Sequence, residues 1–133
     1  MKRTFIAVFI FGLIITSCSS KSLMHQNSDA LFRSKIVGSW SEGESPYSIA
    51  TFENNGEYLA RICEIAEKLK PILVIEGKWW IENGRLYNTS HKVEPPLFPP
   101  SDIPSIDVIV SISDAEMKLI DEQGKQYTKN KIK

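Results

Sequence analysis

The chain has 133 residues with 16 basic and 16 acidic side chains, so its formal net charge at neutral pH is zero. A balanced charge argues against nucleic acid as a partner, because proteins that bind nucleic acids usually concentrate basic residues on one face. The length fits a single domain that can bury one hydrophobic core.

The first element in chain order is an expected export signal. Lys2 and Arg3 precede an apolar run from Phe5 to Ile15, and small residues follow it. This order predicts a signal peptide over residues 1–17 that is removed from the mature protein. The apolar run is too short for a transmembrane helix, which needs about 20 such residues. Its removal takes away two basic residues and leaves 14 basic against 16 acidic side chains.

The sequence Ile15-Thr16-Ser17-Cys18 resembles the lipobox of bacterial lipoprotein signal peptides. The resemblance implies that Cys18 becomes the first mature residue, with diacylglycerol on its sulfur and an acyl chain on its amino group. Two or more acyl chains hold a protein stably at a membrane, since each buried methylene contributes about 0.8 kcal/mol. Ser19 resembles the residue that lets a lipoprotein reach the outer membrane. We therefore expect a lipid-anchored protein of the bacterial cell envelope, on the outer-membrane leaflet that faces the periplasm.

A second interpretation of this segment remains open. An ordinary secretory signal would leave Cys18 free to form a disulfide with Cys63 in an oxidising compartment. If Cys18 is lipidated, Cys63 has no cysteine partner, and its position in a strand-like run favours a small buried hydrophobe. The two interpretations differ in whether the mature protein stays on a membrane.

The segment after Cys18 is expected to be a short tether over residues 18–28, because it begins with small polar residues and has no periodic apolar pattern. Ser28 is expected to cap a short helical turn over residues 29–32, since its hydroxyl can accept hydrogen bonds from open backbone amides. The folded domain is predicted over residues 29–133.

From Lys35 onward the sequence predicts an all-β domain. Runs rich in β-branched and aromatic residues alternate with turn residues at intervals of roughly ten. Asn55-Gly56 and Asn83-Gly84 tolerate positive φ, as tight hairpins require. Strands joined by such turns are antiparallel neighbours. The eight predicted strands span residues 35–41, 47–53, 57–65, 72–82, 85–90, 106–113, 116–121 and 126–132.

Alternation along these strands indicates their buried side. Tyr58 and Ile62 share one face of their strand, and Trp79 and Ile81 share one face of the next. Trp80 is left on the opposite, charged side. A meander with one apolar face must fold into a sandwich or a barrel, and closure is the simpler outcome for sequential hairpins. We therefore predict a small antiparallel up-and-down β-barrel of about eight strands.

Two segments interrupt the strand pattern. Residues 64–71 could continue a strand or form a short helix that ends at Pro71. Residues 93–101 contain four prolines and are expected to form a stiff extended loop rather than an interior strand. Leu97 and Phe98 in that loop could form a docking surface or a lid, or could cover an open end of the core.

The motif Gly38-Ser39-Trp40 on the first predicted strand resembles the opening of lipocalins and of bacterial lipocalin-like domains. The resemblance covers about residues 30–133 and implies a lipocalin-like barrel. The chain is shorter than a full lipocalin, which implies short loops and a narrow interior, and a shared fold does not carry ligand binding with it. The later segments that fit the bacterial variety are Thr51-Phe52, Gly56, Tyr58, residues 77–81, residues 84–87, residues 112–114 and residues 124–127.

Motifs of known enzyme and metal sites are missing from the sequence, including CxxC, HExxH, GxSxG and the phosphate loop. His25 lies in the expected tether and His91 lies beside the proline-rich loop, so they do not form a pair at metal-ligand spacing. We expect no enzyme activity and no catalytic, metal or cofactor site.

Two functions of different class fit these observations. The first is a binding module that holds a small apolar ligand inside the barrel. The second is a filled barrel that meets another envelope protein, or inhibits a hydrolase, through a rim that includes Leu97 and Phe98. The residues expected to line a ligand site are Trp40, Phe52, Tyr58, Ile62, Trp79 and Ile81.

Overall fold

The computed structural model describes the backbone of residues 19–133 and the side chains from Ser28 onward. Cys18 and the expected signal peptide lie outside the described residues. Within residues 19–133, no helix combines the length and the apolar character needed to cross a membrane. The elements are α1 (Ser19–Ile36), β1 (Gly38–Glu42), β2 (Tyr47–Phe52), β3 (Glu57–Cys63), β4 (Pro71–Glu82), β5 (Arg85–Ser90), β6 (Lys92–Glu94), β7 (Ser101–Ile112), β8 (Glu116–Ile120) and β9 (Gln126–Lys131).

The strands form a closed antiparallel barrel. Strands that follow one another in the chain pair with each other, except that the short β6 pairs with β4 alone while β5 pairs with β7, and β1 pairs with β9 to close the ring. β5 and β6 pair with successive parts of β4, so the barrel has eight strand positions. The predicted all-β, up-and-down barrel of about eight strands is therefore confirmed.

Gly77 lets β4 pair with both β5 and β6. An ideal Cβ at this position would lie 1.7 Å from the carbonyl oxygen of Thr89 on β5, so a larger residue would force the two strands apart. Beyond this close approach the pairing continues through His91, whose backbone N–H donates to the carbonyl of Glu76 at 2.8 Å. The glycine thus allows a bend in one wall of the barrel.

The hairpin turn between β4 and β5 has the predicted chemistry. Asn83 and Gly84 adopt φ values of 52° and 71°, the positive range that a tight two-residue hairpin requires. Gly56, in the turn between β2 and β3, also has a positive φ of 89°. These turns set the register of the strands that they join.

The hydrophobic core fills the part of the barrel next to α1. Trp40 is fully buried, and the Phe52 and Trp79 rings meet edge to face with their centroids 5.5 Å apart. Ile36 adds a side chain from the end of the helix to this core. The buried cluster comprises Ile36, Trp40, Ala50, Phe52, Trp79, Leu86, Ile109, Ile112, Met117 and Leu119.

Polar contacts fix α1 to the barrel turns. The Asp29 carboxylate accepts hydrogen bonds from the backbone N–H groups of Asn83 and Gly84, at 2.7 and 2.8 Å. The Arg33 guanidinium lies 4.9 Å from the centroid of the Trp79 ring. The helix is therefore held by charge as well as by packing.

Lys131, at the end of β9, binds the C-terminal end of α1. Its Nζ donates to the carbonyl oxygens of Lys35 and Val37 at 3.1 and 3.0 Å, and it lies 4.9 Å from the Trp40 ring centroid. The Trp40 indole N–H donates to the carbonyl of Ile36 at 2.7 Å. The last carbonyls of the helix, which lack partners within it, are thus bonded by the barrel.

The helix differs from the sequence-based expectation. It begins at Ser19, so Ser28 lies inside it and the predicted capping role of Ser28 is wrong. Residues 19–27 already belong to the helix. The backbone amides after Ser28 therefore bond to carbonyls one turn earlier and do not need a side-chain cap. Residues 35 and 36 also belong to α1, and β1 begins only at Gly38.

The strand bounds show which structure the two segments that interrupt the predicted strand pattern adopt. Residues 64–70 form bends and a turn, so neither the strand continuation nor the short helix is present there. The proline-rich loop, expected over residues 93–101, is confined to residues 95–100, because Val93 and Glu94 pair with β4 as the unpredicted strand β6 and Ser101 begins β7. β7 begins at Ser101 rather than at residue 106 and includes Pro104, where a register irregularity against β5 accommodates the missing backbone N–H.

Candidate binding site

The two ends of the barrel are built differently. The first, here named the closed end, is covered by α1 and carries the turns at residues 53–56, 83–84 and 113–115. The second, named the open end, carries the loops at residues 43–46, 64–70, 95–100 and 121–125. The core fills the closed end, so the internal space lies toward the open end.

A cavity of about 250 Å³ lies in the open-end part of the barrel, between β3 and β4 on one side and β5 and β7 on the other. Its wall is mostly apolar. Ligand sites usually measure about 300–1,000 Å³, so this space suits a small ligand or one end of a larger one. The lining residues are Tyr58, Ile75, Asn88, Thr89, Ser90, Phe98, Ser101, Ile103 and Ser105.

Asn88 is a polar side chain of this wall whose carbonyl lacks a partner. It stands on β5 opposite Trp79 of β4 and belongs to the inward-facing row of that strand, two residues after the buried Leu86. Its Oδ1 atom is buried and makes no hydrogen bond with any described residue. An unpaired buried acceptor destabilises a fold by about 1–3 kcal/mol. The cavity wall therefore contains an unpaired acceptor that solvent does not reach.

Charged and phenolic groups line the barrel interior beside the cavity. Lys129 Nζ forms a salt bridge with Glu42 Oε2 at 2.6 Å. Asp107 accepts a hydrogen bond from Tyr127. Burial raises the pKa of Asp107, while the Tyr127 hydrogen bond and Lys129 oppose that rise.

Tyr58 connects the cavity with these charged groups. Burial raises its pKa to about 12, and the negative charges of Asp107 and Glu42 add to the rise. Burial also raises the pKa of Tyr127, assisted by the charge of Asp107 and the hydrogen bond to it. Both phenols therefore remain protonated at neutral pH in surroundings where acids outweigh bases.

The six residues predicted to line a ligand site lie at different heights in the barrel. Trp40, Phe52 and Trp79 belong to the packed core at the closed end. Ile81 is partly buried against that core, and Ile62 lines a separate surface depression beside residues 42–48. Tyr58 is the member of the set that lines the cavity. Strand alternation identifies inward-facing residues but does not tell at which height the interior is already filled.

The proline-rich loop contributes one of its two apolar residues to the cavity wall. Phe98 lines the cavity and is 43 % exposed, whereas Leu97 is 70 % exposed. Ile103, on β7 beside this loop, is 83 % exposed and also lines the cavity. Exposed apolar side chains thus lie in two of the four open-end loops and in the strands that follow these loops; they are Leu69, Ile72, Leu97, Phe98 and Ile103.

The other candidate groups from the sequence have the following surroundings. Cys63 is buried on β3 as a free thiol, which fits a small core residue. His91 is exposed, and its Nε2 lies 3.9 Å from Glu76 Oε2. Among the side chains described from residue 28 onward, no group of three or more His, Cys, Asp or Glu residues could hold a metal ion.

Comparison with known proteins supports the fold. No family model matches the chain, and no curated protein matches it. Among solved structures, it is similar to the NMR structure of a protein from Bacteroides thetaiotaomicron VPI-5482, with a TM-score of 0.50 and 25 % sequence identity. The match covers 76 % of this chain and 92 % of that chain. The likeness supports a small barrel and assigns no activity to it.

Proposed function

We propose that this chain is a membrane-anchored, lipocalin-like lipoprotein of the bacterial envelope whose barrel binds a small, largely apolar ligand at its open end. The observation that supports this most directly is the cavity of about 250 Å³ with Tyr58, Ile75, Phe98 and Ile103 on its wall. A ligand that covers Phe98 and Ile103 removes exposed apolar surface from water, which favours binding by about 25 cal/mol per Å².

Occupation of the cavity can be measured on the purified chain by native mass spectrometry. We expect an extra mass that organic solvent removes, either from the host cell or after incubation with octan-1-ol. Ile75→Trp should abolish it, because Ile75 lines the cavity and the larger ring fills the space. Val74→Trp is the matched control, since Val74 neighbours Ile75 but belongs to the outward-facing row of β4.

Two outcomes contradict this part of the proposal. A wild-type chain that carries no extra mass and takes up no octan-1-ol does not bind at this cavity. An extra mass that persists in a folded Ile75→Trp variant is bound elsewhere, and circular dichroism checks that both tryptophan variants keep the strand content of the wild type.

The proposed anchor is the lipid on Cys18. Support comes from the lipobox-like sequence before it, and Ser19 after it supports the outer-membrane leaflet that faces the periplasm. Cys18→Ser should abolish incorporation of labelled fatty acid and release the protein from the membrane fraction. Cys63→Ser is the control and should keep the label, since Cys63 is buried in β3. Labelling that survives in Cys18→Ser contradicts the anchor.

A second candidate function is an interface with another envelope protein, including a hydrolase that the barrel would inhibit. The exposure of Leu97, 70 % of its surface, favours it, because this side chain stands at the rim without covering the cavity. The double variant Leu97→Ser, Phe98→Ser should then lose a partner recovered by crosslinking in cells. If the partner is retained, the loop is not the interface.

A further inference from the structure

Tyr58 lies between the packed core and the cavity. Its ring contacts the Phe52 ring, with the two centroids 5.3 Å apart, and packs against the buried cluster of the closed end. The same side chain lines the cavity in the open-end part of the barrel. A ring that touches both regions separates them, so Tyr58 forms the floor of the cavity.

The neighbouring residues explain why this one ring closes the space. Tyr58 pairs with Gly77 of β4, which has no side chain to share this layer of the interior. In the next inward-facing pair toward the open end, Ala60 lies opposite Ile75, and Ile75 lines the cavity. The small Ala60 side chain leaves room above the ring, whereas the packed core fills the space below it. The depth of the cavity therefore depends on the size of the side chain at position 58.

The wall and the floor suit an apolar chain. Above Tyr58 the wall carries the apolar side chains of Ile75, Phe98 and Ile103. The Tyr58 hydroxyl stays protonated at neutral pH, because burial raises its pKa to about 12. At about 30 Å³ for each chain carbon, close to the volume of one molecule in liquid water, a cavity of about 250 Å³ holds about eight carbons.

We propose that this cavity binds the apolar chain of an amphiphile and that Tyr58, as its floor, limits the chain that enters to about eight carbons. The polar group of the ligand stays in water at the open end. Carbons beyond the limit remain outside the cavity and add little to binding. This inference rests on the proposed ligand-binding function and names the ligand class and the residue that sets its length.

A series of unbranched alcohols tests the length limit on the purified full chain: pentan-1-ol, hexan-1-ol, octan-1-ol and decan-1-ol. Dissociation constants are measured by following the backbone amide NMR signals of β5 and β7 during titration. From pentan-1-ol to octan-1-ol, affinity should rise about fourfold for each methylene, the ratio expected when one CH₂ group is buried. From octan-1-ol to decan-1-ol it should rise less than about twofold in total, because the added carbons stay in water.

Substitutions at position 58 assign the limit to the ring. Tyr58→Val lowers the floor, so decan-1-ol should bind at least about fourfold more tightly than octan-1-ol. Tyr58→Trp raises the floor, so the gain in affinity should end before octan-1-ol. Tyr58→Phe keeps the ring and should keep the wild-type limit. Tyr87→Val is the matched control and should also keep it, since Tyr87 is stacked on Trp80 outside the cavity.

The outcomes separate this inference from the proposed function. If no alcohol perturbs the cavity signals of the wild type, ligand binding itself is contradicted. If affinity rises about fourfold per methylene as far as decan-1-ol, the cavity binds chains but Tyr58 does not limit them. The same conclusion follows if a folded Tyr58→Val keeps the wild-type limit or if Tyr58→Phe loses it. If Tyr58→Val does not fold, the wild-type series and Tyr58→Trp decide the matter.

Discussion

The closed and open ends of this barrel use the same strands in opposite ways. At the closed end the polar atoms that packing buries find partners: the Trp40 indole donates to Ile36, and the Trp79 indole donates to the carbonyl of Glu53 at 2.9 Å. At the open end Asn88 Oδ1 is buried without a partner, and Phe98 and Ile103 remain exposed. Buried polar atoms are thus paired at one end, and the other end keeps an unpaired acceptor and exposed apolar side chains.

The difference follows from what covers each end. α1 brings Ile36 into the core, and Asp29 bonds to the turn below it. The open end is covered only by loops, and the proline-rich loop directs one apolar residue, Phe98, to the cavity. Unsatisfied groups at functional sites commonly lower stability in exchange for binding. Four substitutions test whether the closed end contributes most of the stability and the open end contributes little of it.

The largest effect is expected from Trp40→Ala at the closed end. Trp40 is fully buried, and its removal leaves a large cavity and an unpaired helix carbonyl, so the free energy of unfolding should fall by about 3–5 kcal/mol. Trp80→Ala is the matched control. Trp80 stacks on Tyr87 on the outer face with centroids 5.2 Å apart, and its loss should cost about 1 kcal/mol. Equal losses in urea unfolding would contradict a core located at the closed end.

A smaller loss is expected from Lys131→Met. This change keeps the apolar stem but removes the donor to the carbonyls of Lys35 and Val37, so the free energy of unfolding should fall by about 2 kcal/mol. Lys133→Met, at the exposed chain end, should change stability by less than about 0.5 kcal/mol. If the two variants unfold at the same urea concentration, Lys131 does not hold the helix.

At the open end, a substitution should raise the free energy of unfolding rather than lower it. Asn88→Leu removes a buried acceptor without a partner, so the ligand-free protein should gain about 1 kcal/mol in thermal or urea unfolding. Asn130→Leu, on the exposed outer side, should change stability little. A loss of stability in Asn88→Leu would indicate that the amide has a structural role in the ligand-free barrel.

The smallest effect concerns Asp107. Burial raises the pKa of its carboxyl in the folded state, so the folded barrel holds this proton to higher pH than the unfolded chain does. The stability that the protonated group contributes is present below its ordinary pKa of 3.8 and is lost as pH rises through the folded-state pKa. Asp107→Asn should therefore unfold at a slightly higher temperature than wild type at neutral pH.

The control for this comparison is Asp114→Asn in the exposed turn between β7 and β8. The advantage of Asp107→Asn should disappear near pH 3, about one unit below the ordinary pKa of an aspartate. An advantage of equal size at both pH values would mean that packing, rather than ionisation, separates the two proteins.

Local patterns predicted the barrel because hairpin turns and strand alternation are short-range signals. Asn83-Gly84 forms its turn as expected, and Tyr58 and Trp79 face inward as alternation indicates. The length of α1 was missed because no apolar periodicity marks its first turns. The role of Lys131 depends on its contact with Lys35, a residue far away in the chain.

The inward position of Asn88 follows from the strand alternation. This residue comes two positions after Leu86 on β5, so the alternation that buries Leu86 also directs an amide inward. An amide in an inward row is a polar group that needs a partner. What the pattern could not supply was the height of the core, which decides that Leu86 is packed while Asn88 borders empty space.

Under the proposed anchoring at Cys18, the helix α1 also determines which end of the barrel faces the membrane. It begins at Ser19, directly after the proposed lipid site, and its first ten residues, Ser19 to Ser28, extend about 15 Å at the usual helical rise. An anchor at Cys18 would therefore join the barrel at its closed end, while the cavity belongs to the opposite end. The ligand would arrive through the aqueous compartment rather than by lateral diffusion in the bilayer, so its solubility in water would limit its supply.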